Sequence, residues 1–374
     1  HLKSLNNPIA KGFSIKSPLI NSWYQPSAVD VSHSRSKRVA LTMKYRSQAS
    51  RKWTLDNRRM LELSVGPSYS LGEPFKCHTD VFATLTYRRD LPRWDALIAD
   101  IHTLEMFFYV ASGRPLGPTE ITLTPSKWGR RTPANPDKKR GSKFERWELL
   151  ISQSWYKPCS SNSSSDRTIR LREMKHNTGA VLSRWFKNYE RLRYILPLYR
   201  YVAEDTEDLE IRFMTIAQAM EALHREFYQA TLIPPNKFAK IKTKLLAALP
   251  RNIETNARKT MVGRIGFINE AGLTARLSQL INALTSEGKL LFPNFAGAAG
   301  HVSRYRNAFT HVVRKDKFSS RWVEEVNCLS EILKIALEMS LLHLSCVTGK
   351  SLQSAIKHNW HYILVERERH RLFG

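Results

Sequence analysis

The residues best suited to chemistry lie in one short run, Arg306-Asn307-Ala308-Phe309-Thr310-His311. With about 100° of turn per residue in a helix, Val302, Tyr305, Phe309, Val312 and Val313 gather on one apolar arc. Arg306, Asn307, Thr310 and His311 gather on the opposite one. Asn307 and His311 are four residues apart and stack as neighbours. Arg306 sits about 140° from His311 around the same wheel, a gap that its long stem, a bend or a second subunit must close. Guanidinium, amide and imidazole on one polar strip suit cleavage of RNA without a metal ion. The ribose 2′-OH is already beside the scissile phosphate. Proton transfer falls to a histidine, which titrates near neutral pH. Charge on the five-coordinate phosphorus is met by the arginine fork. Asn307 can orient the imidazole or a phosphate oxygen. The competing reading is a solvated helix face, because an arginine and a histidine five apart recur by chance.

Other candidate signals fail. Gly349-Lys350-Ser351 ends like a phosphate-binding loop, but Leu344 stands where the first glycine is needed and the preceding segment is helical. His358 and His361 have no partner ligand nearby in sequence and read as surface or packing residues. His224 falls within the apolar arc of its helix and reads as a hydrogen-bonded core histidine. Cys77, Cys159, Cys328 and Cys346 are scattered, with no CxxC pair. They fit small packing residues in a reducing cytoplasm, and no metal site or cofactor is expected.

The elements that must position the strip are helical. Val181–Val202 reads as an amphipathic helix interrupted at Pro197, and Leu209–Gln229 as one with Phe213, Ile216, Ala217, Met220, Leu223 and Phe227 on one face. Shorter helices are expected at Lys237–Leu249, Leu273–Leu284 and Ala298–Val313, and a long one at Ser320–Val347. Long helices on short loops make an α-bundle. The first 160 residues differ: Val39–Tyr45, Met60–Val65, Val81–Tyr87, Glu120–Leu123 and Trp147–Trp155 are short, β-branched or aromatic, and partly alternating. One helix, Trp94–Ala111, interrupts them and stops at Ser112-Gly113-Arg114-Pro115. The fold class is α+β: a β-rich N-terminal domain (1–160), a linker with connector helix (161–204) around the polar run at 159–166, then an all-α domain (205–374).

The formal net charge is +26 over 374 residues. Residues 1–200 carry 35 Lys and Arg against 16 Asp and Glu, a balance of +19, and residues 201–374 carry 24 against 17, a balance of +7. Such an excess indicates a polyanionic partner such as RNA, with an anionic membrane surface or a generally basic proteome as the bland alternative. Residues 127–143 form a basic loop with one Trp, in which Lys127, Arg130, Arg131, Lys138, Lys139 and Arg140 are candidate RNA contacts; a solvated hairpin loop is the plainer reading. No apolar run reaches membrane-span length. The start His1-Leu2-Lys3-Ser4 has no signal-peptide core, and the missing Met suggests a truncated or processed chain.

The R-N-x-x-x-H string within a helical bundle resembles the Rx4–6H motif of HEPN domains. Arg212–Arg225 (RFMTIAQAMEALHR) is similar to the first HEPN helix of the ApeA family, with Ala219-Met220-Glu221 at its A-L-E-like segment. The preceding β-rich region and helical connector resemble the ApeA N-terminal domain. The resemblance implies an all-α HEPN bundle that pairs as a homodimer or higher homo-oligomer, two motifs forming one RNA-cleaving cleft. It carries Arg306, Asn307 and His311 into the active site, with Glu221 and Thr310 as supporting residues. For Glu221, an ion pair with Arg225 at i,i+4 is the alternative. It further implies a bacterial, toxin-like anti-phage (abortive infection) endoribonuclease, with tRNA as a substrate, a phage-derived trigger and no cofactor. A catalytically silent RNA-binding HEPN module or scaffold is the second reading. A DNA-binding regulator would need a recognition helix after a tight turn, and none is evident.

Overall fold

The computed structural model describes residues 10–24, 29–33, 41–45, 49–70, 76–88, 93–118, 120–125, 147–148, 169, 171–174, 177–204, 208–228, 231–250, 252–284, 295–311, 321–347, 349–357 and 360–373. The chain divides into two compact units, 1–190 with 341–364, and 191–340 with 365–374.

In the first unit a six-stranded antiparallel sheet has the order β4-β5-β6-β1-β7-β8. Its strands are β1 (Ala10–Lys16), β4 (Arg51–Thr54), β5 (Arg59–Ser70), β6 (Lys76–Tyr87), β7 (Glu120–Pro125) and β8 (Trp147–Glu148). A separate ribbon pairs β2 (Val29–His33) with β3 (Leu41–Tyr45). Side-chain period two sends Leu61 and Leu63 of β5, and Val81, Ala83, Leu85 and Tyr87 of β6, to one buried face. Helix α1 (Pro18–Tyr24) follows β1, and α2 (Trp94–Ser112) supplies Leu97, Ile101, Leu104, Phe107 and Phe108 to the same core. Trp23 meets Phe107 and Phe108 edge-on at 6.0 and 5.1 Å. Gly113 ends α2 in the left-handed conformation (φ 69°), its N–H donating to the Tyr109 carbonyl. Gly12 is required for close approach: a Cβ there would stand 2.3 Å from the Leu85 carbonyl oxygen. Short α3 (Leu171–Met174) and α4 (Thr178–Leu192) follow, with Trp185 donating to the Thr103 carbonyl at 2.8 Å.

A strand stands within each expected run, with residues 39–40 and 149–155 of those runs outside the described residues, and β5 and β6 extend to Ser70 and back to Lys76 as one long hairpin. Strands β1, β2 and β4 and helix α1 were not expected. The basic loop at 127–143, with Lys127, Arg130, Arg131, Lys138, Lys139 and Arg140, and the polar run at 159–166 lie outside the described residues.

The second unit is helical: α5 (Leu196–Ala203), α6 (Leu209–Phe227), α7 (Pro235–Ala247), α8 (Thr255–Phe267), α9 (Leu273–Ala283), α10 (Phe295–Thr310) and most of α11 (Trp322–Leu344). Helix α12 (Gly349–Lys357) falls in the first unit, and α13 (Trp360–Phe373) continues into the second. Asp208 caps α6 by accepting the Ile211 N–H at 3.0 Å. Phe213, Ile216, Ala217, Met220 and Leu223 of α6, Leu277 and Leu280 of α9, Val302 and Tyr305 of α10, and Leu329, Ile332, Leu333 and Leu337 of α11 are buried. Burying a side chain of this size is worth about 1.5–3 kcal/mol, so these helices are held mainly by their apolar faces. Tyr199 donates to Glu338 at 3.0 Å in the interior, giving that buried carboxylate a partner.

The cysteines are not all packing residues: Cys328 is buried, its thiol pushed up to about 12 chiefly by burial, whereas Cys346 is exposed. Cys346 occupies the left-handed conformation (φ 65°) just past α11.

Candidate functional site

Helix α10 presents the polar strip. Val302 and Tyr305 anchor its buried face, and Phe309 packs edge-on against Phe213 of α6 (5.8 Å) and Trp322 of α11 (6.2 Å). Tyr305 also meets Phe213 at 6.4 Å, and its hydroxyl donates to Glu325. Val312 and Val313, expected on this arc, lie outside the described residues. With the aromatic side fixed inward, Asn307, Thr310 and His311 are exposed and Arg306 is half-exposed. The helix ends at Thr310, and His311 occupies the first turn position beyond it, its N–H donating to the Asn307 carbonyl at 3.0 Å.

Arg306 is held at two points. One terminal nitrogen donates to Asn307 Oδ1 at 3.4 Å, and the other lies 3.7 Å from Glu221 of α6. Glu221 also accepts from Arg225 at 3.0 Å, the i,i+4 pair expected from the sequence. The pair with Arg306 was not foreseen, because it depends on how α6 and α10 pack. The chain of charge continues: Arg225 reaches Glu270 at 3.5 Å, and Glu270 accepts from buried Arg276 at 2.9 Å. Arg276 in turn donates to the Ala271 carbonyl at 2.6 Å. Sequence inspection offered no signal for Glu270 or Arg276. Thr310 donates to the Arg306 carbonyl at 2.7 Å, so its hydroxyl is bonded within the helix.

His224, one turn along α6 from Glu221, is fully buried. Its Nε2 bonds Gln279 at 2.6 Å and its ring stacks on Tyr228 at 5.5 Å. Burial, more than the nearby Arg276 guanidinium, holds its imidazole below the ordinary range. The core-histidine reading of the sequence matches this environment.

A cavity of about 530 Å³ opens in the first unit, between α2, α4 and the β5–β6 strands. Asp100 in its wall accepts from Tyr87 at 2.8 Å and from Arg59 at 2.5 Å, and Arg59 lies 4.8 Å over the Phe186 ring. Burial and the Asp100 carboxylate push the Tyr87 phenol far up. Within the lining, Arg59 pairs with Asp100, and Arg93 lies 3.6 Å from Asp95. Among the described residues no three His, Cys, Asp or Glu side chains converge as a metal-binding group, and no helix is long and apolar enough to cross a membrane. His358 and the side chain of His361 lie outside the described residues.

Comparison with protein families matches residues 214–348 to the Apea-like HEPN family. Residues 214–348 form an Apea-like HEPN domain. The match begins within α6, runs through α10 with its R-N-x-x-x-H strip, and ends just past α11. The β-rich region lies outside the matched segment. No curated protein and no solved structure matches the chain. Within the HEPN domain, Glu221 stands on the first helix and Arg306 to His311 at the end of α10, joined by the 3.7 Å contact.

Proposed function

We propose that this protein is a metal-independent endoribonuclease of the HEPN type, acting as a toxin-like anti-phage effector. The observation that carries the reading is the exposed strip of Arg306, Asn307 and His311 on α10 of an Apea-like HEPN domain. In the reaction the ribose 2′-oxygen attacks phosphorus and the bond to the 5′-oxygen breaks. One imidazole removes the 2′-OH proton and another delivers a proton to the departing 5′-oxygen, leaving a 2′,3′-cyclic phosphate and a 5′-hydroxyl. Two histidines require two copies of His311, so the working form is a homodimer with the strips facing across a two-fold axis. Arg306 neutralises the phosphorane, and Asn307 keeps the guanidinium and phosphate oxygens in register. The β-rich region, through about residue 160, serves as a sensor that restrains the nuclease until a phage-derived trigger binds, and tRNA is the first substrate to test.

The test incubates purified protein with bacterial RNA under chelation, alongside a defined RNA carrying one 2′-deoxyribose at the mapped cut site. Cleavage of the ribose substrate and resistance of the deoxy one are expected. Cleavage of both would remove the 2′-OH mechanism.

A further inference from the structure

Between α6 and α9 the chain leaves the helical core. Helices α7 and α8 pack on each other, and neither buries a single residue. Among the described residues, seven of the thirteen large apolar side chains that are exposed fall between Leu232 and Ile268, Phe267 at 69% among them. Residues 235–267 also hold eight Lys and Arg against the lone acid Glu254. That balance of +7 equals the balance of all residues 201–374, so the rest of the helical half is neutral. Lys237, Lys240 and Lys244, all exposed, lie on one face of α7 by their i, i+3, i+7 spacing.

A hairpin that buries nothing adds little to the stability of the fold, so its composition is not explained by the core. Pairing with the same hairpin of a second copy would set +7 against +7. A polyanion is the complementary occupant. The hairpin's stem also points to which polyanion. Asn269, buried, bridges the two strands of the stem: its Oδ1 accepts the Ile233 N–H and its Nδ2 donates to the Ile233 carbonyl, both at 2.8 Å. Leu232 N–H donates to the Asn269 carbonyl at 2.8 Å, and Thr231 pairs with Glu270. Glu270 is the acid that meets Arg225 and Arg276, and Arg225 shares Glu221 with Arg306. Ion pairs therefore run unbroken from the root of the hairpin to the catalytic strip.

We infer that the α7–α8 hairpin is an RNA-gripping arm that holds the phosphate backbone of the substrate and leads it to Arg306. The identity of the polyanion as RNA rests on the nuclease reading. Lysines of one α7 face contact phosphates, and Phe267 beside the stem offers a ring on which a base stacks.

The experiment uses the full chain with His311→Ala, so that binding is measured without cutting. Its arm variant adds Lys237→Gln, Lys240→Gln, Lys244→Gln and Lys259→Gln. Binding of a labelled tRNA is followed by fluorescence anisotropy over a salt series. The variant is expected to bind at least about tenfold more weakly, with a salt slope shallower by roughly 3, since each lost phosphate contact removes about 0.7–0.9. A control neutralising exposed Arg184, Lys187, Arg193 and Arg367 should bind as the parent does, with both melting temperatures unchanged. Equal affinity and slope in the arm variant overturn the inference. So does a change of oligomeric state with tRNA affinity intact, or arm-dependent binding to phosphatidylserine vesicles with arm-independent binding to tRNA. The two readings fail separately. A wild-type protein that never cuts RNA, yet loses tRNA with its arm, sinks only the nuclease; a protein that cuts, with unchanged affinity in the arm variant, sinks only the arm.

Discussion

Glu221→Gln removes one charge from the tether on Arg306 while keeping the side chain's shape. The two groups are 3.7 Å apart, with Arg306 37% and Glu221 21% exposed. At that separation the Coulomb energy runs from about 1 kcal/mol in water to about 4 kcal/mol near a protein surface, but exposed pairs retain only about 0.2–1 kcal/mol net. Holding an arginine in one rotamer costs up to about 2 kcal/mol of side-chain entropy, so a tether of about 1 kcal/mol removes part of that cost before substrate arrives. Its loss should slow single-turnover cleavage at saturating RNA about fivefold. The melting temperature should barely move. Arg225→Ala is the matched control: it deletes the competing partner of Glu221, and cleavage should stay at the wild-type rate or rise. An unchanged rate in Glu221→Gln would reduce Glu221 to a surface ion pair. A loss beyond about a thousandfold with an intact fold would mean that Glu221 itself moves protons, and the tether account would be wrong.

Other consequences follow from the same geometry. Arg306→Lys should lose most cleavage although the charge is kept, because a point charge cannot replace the fork; near-wild-type single-turnover rates would refute the role. Phe213→Ala removes the ring on which Tyr305 and Phe309 of α10 rest, and should destabilise the helical unit by about 3–5 kcal/mol in denaturant melts. Mixing Arg306→Ala and His311→Ala subunits should restore part of the activity if the cleft is shared across a dimer, and a fully active species that light scattering shows to be monomeric would exclude sharing. His224 gives a pH effect. Its folded value is lowered, so as pH falls below about 6.5 the unfolded chain takes up the proton first and stability drops until the folded value is passed. His301, also lowered by burial, contributes in the same direction. His224→Gln should therefore flatten the fall in melting temperature between neutral and mildly acidic pH, and an unaltered slope would refute the assignment.

The strip was legible because Arg306, Asn307 and Thr310 lie on one helix and His311 on the turn that ends it. Val302, Tyr305 and Phe309 at helical spacing fix which side of α10 turns inward, and Arg306, Asn307 and His311 follow on the other. Glu221 was visible as an i,i+4 partner of Arg225, but its contact with Arg306 arises from the crossing of α6 and α10, which no local pattern records. Helix α8 escaped notice because its apolar residues, such as Met261 and Val262, form no single stripe and pack against no core. Strand β1 (AKGFSIK) has a lysine at each end of its pattern and a glycine within it. It becomes a strand because β6 and β7 pair with it on both sides, a tertiary effect that overrides weak local preference. For the same reason periodicity along Ser320–Val347 reads as one helix, without revealing that residues beyond 340 group with the β-rich unit.

The most direct test of RNA cleavage by the α10 strip compares end groups produced by the wild-type protein and by His311→Ala. Both are incubated with bacterial tRNA in the presence of a chelator, and the new termini are identified by their chemistry. His311 is exposed, so its replacement leaves no core cavity and the two proteins should melt together. The account predicts 2′,3′-cyclic phosphate and 5′-hydroxyl ends from the wild type and intact tRNA from the variant. Equal cleavage by both proteins, at equal melting temperature, would contradict it.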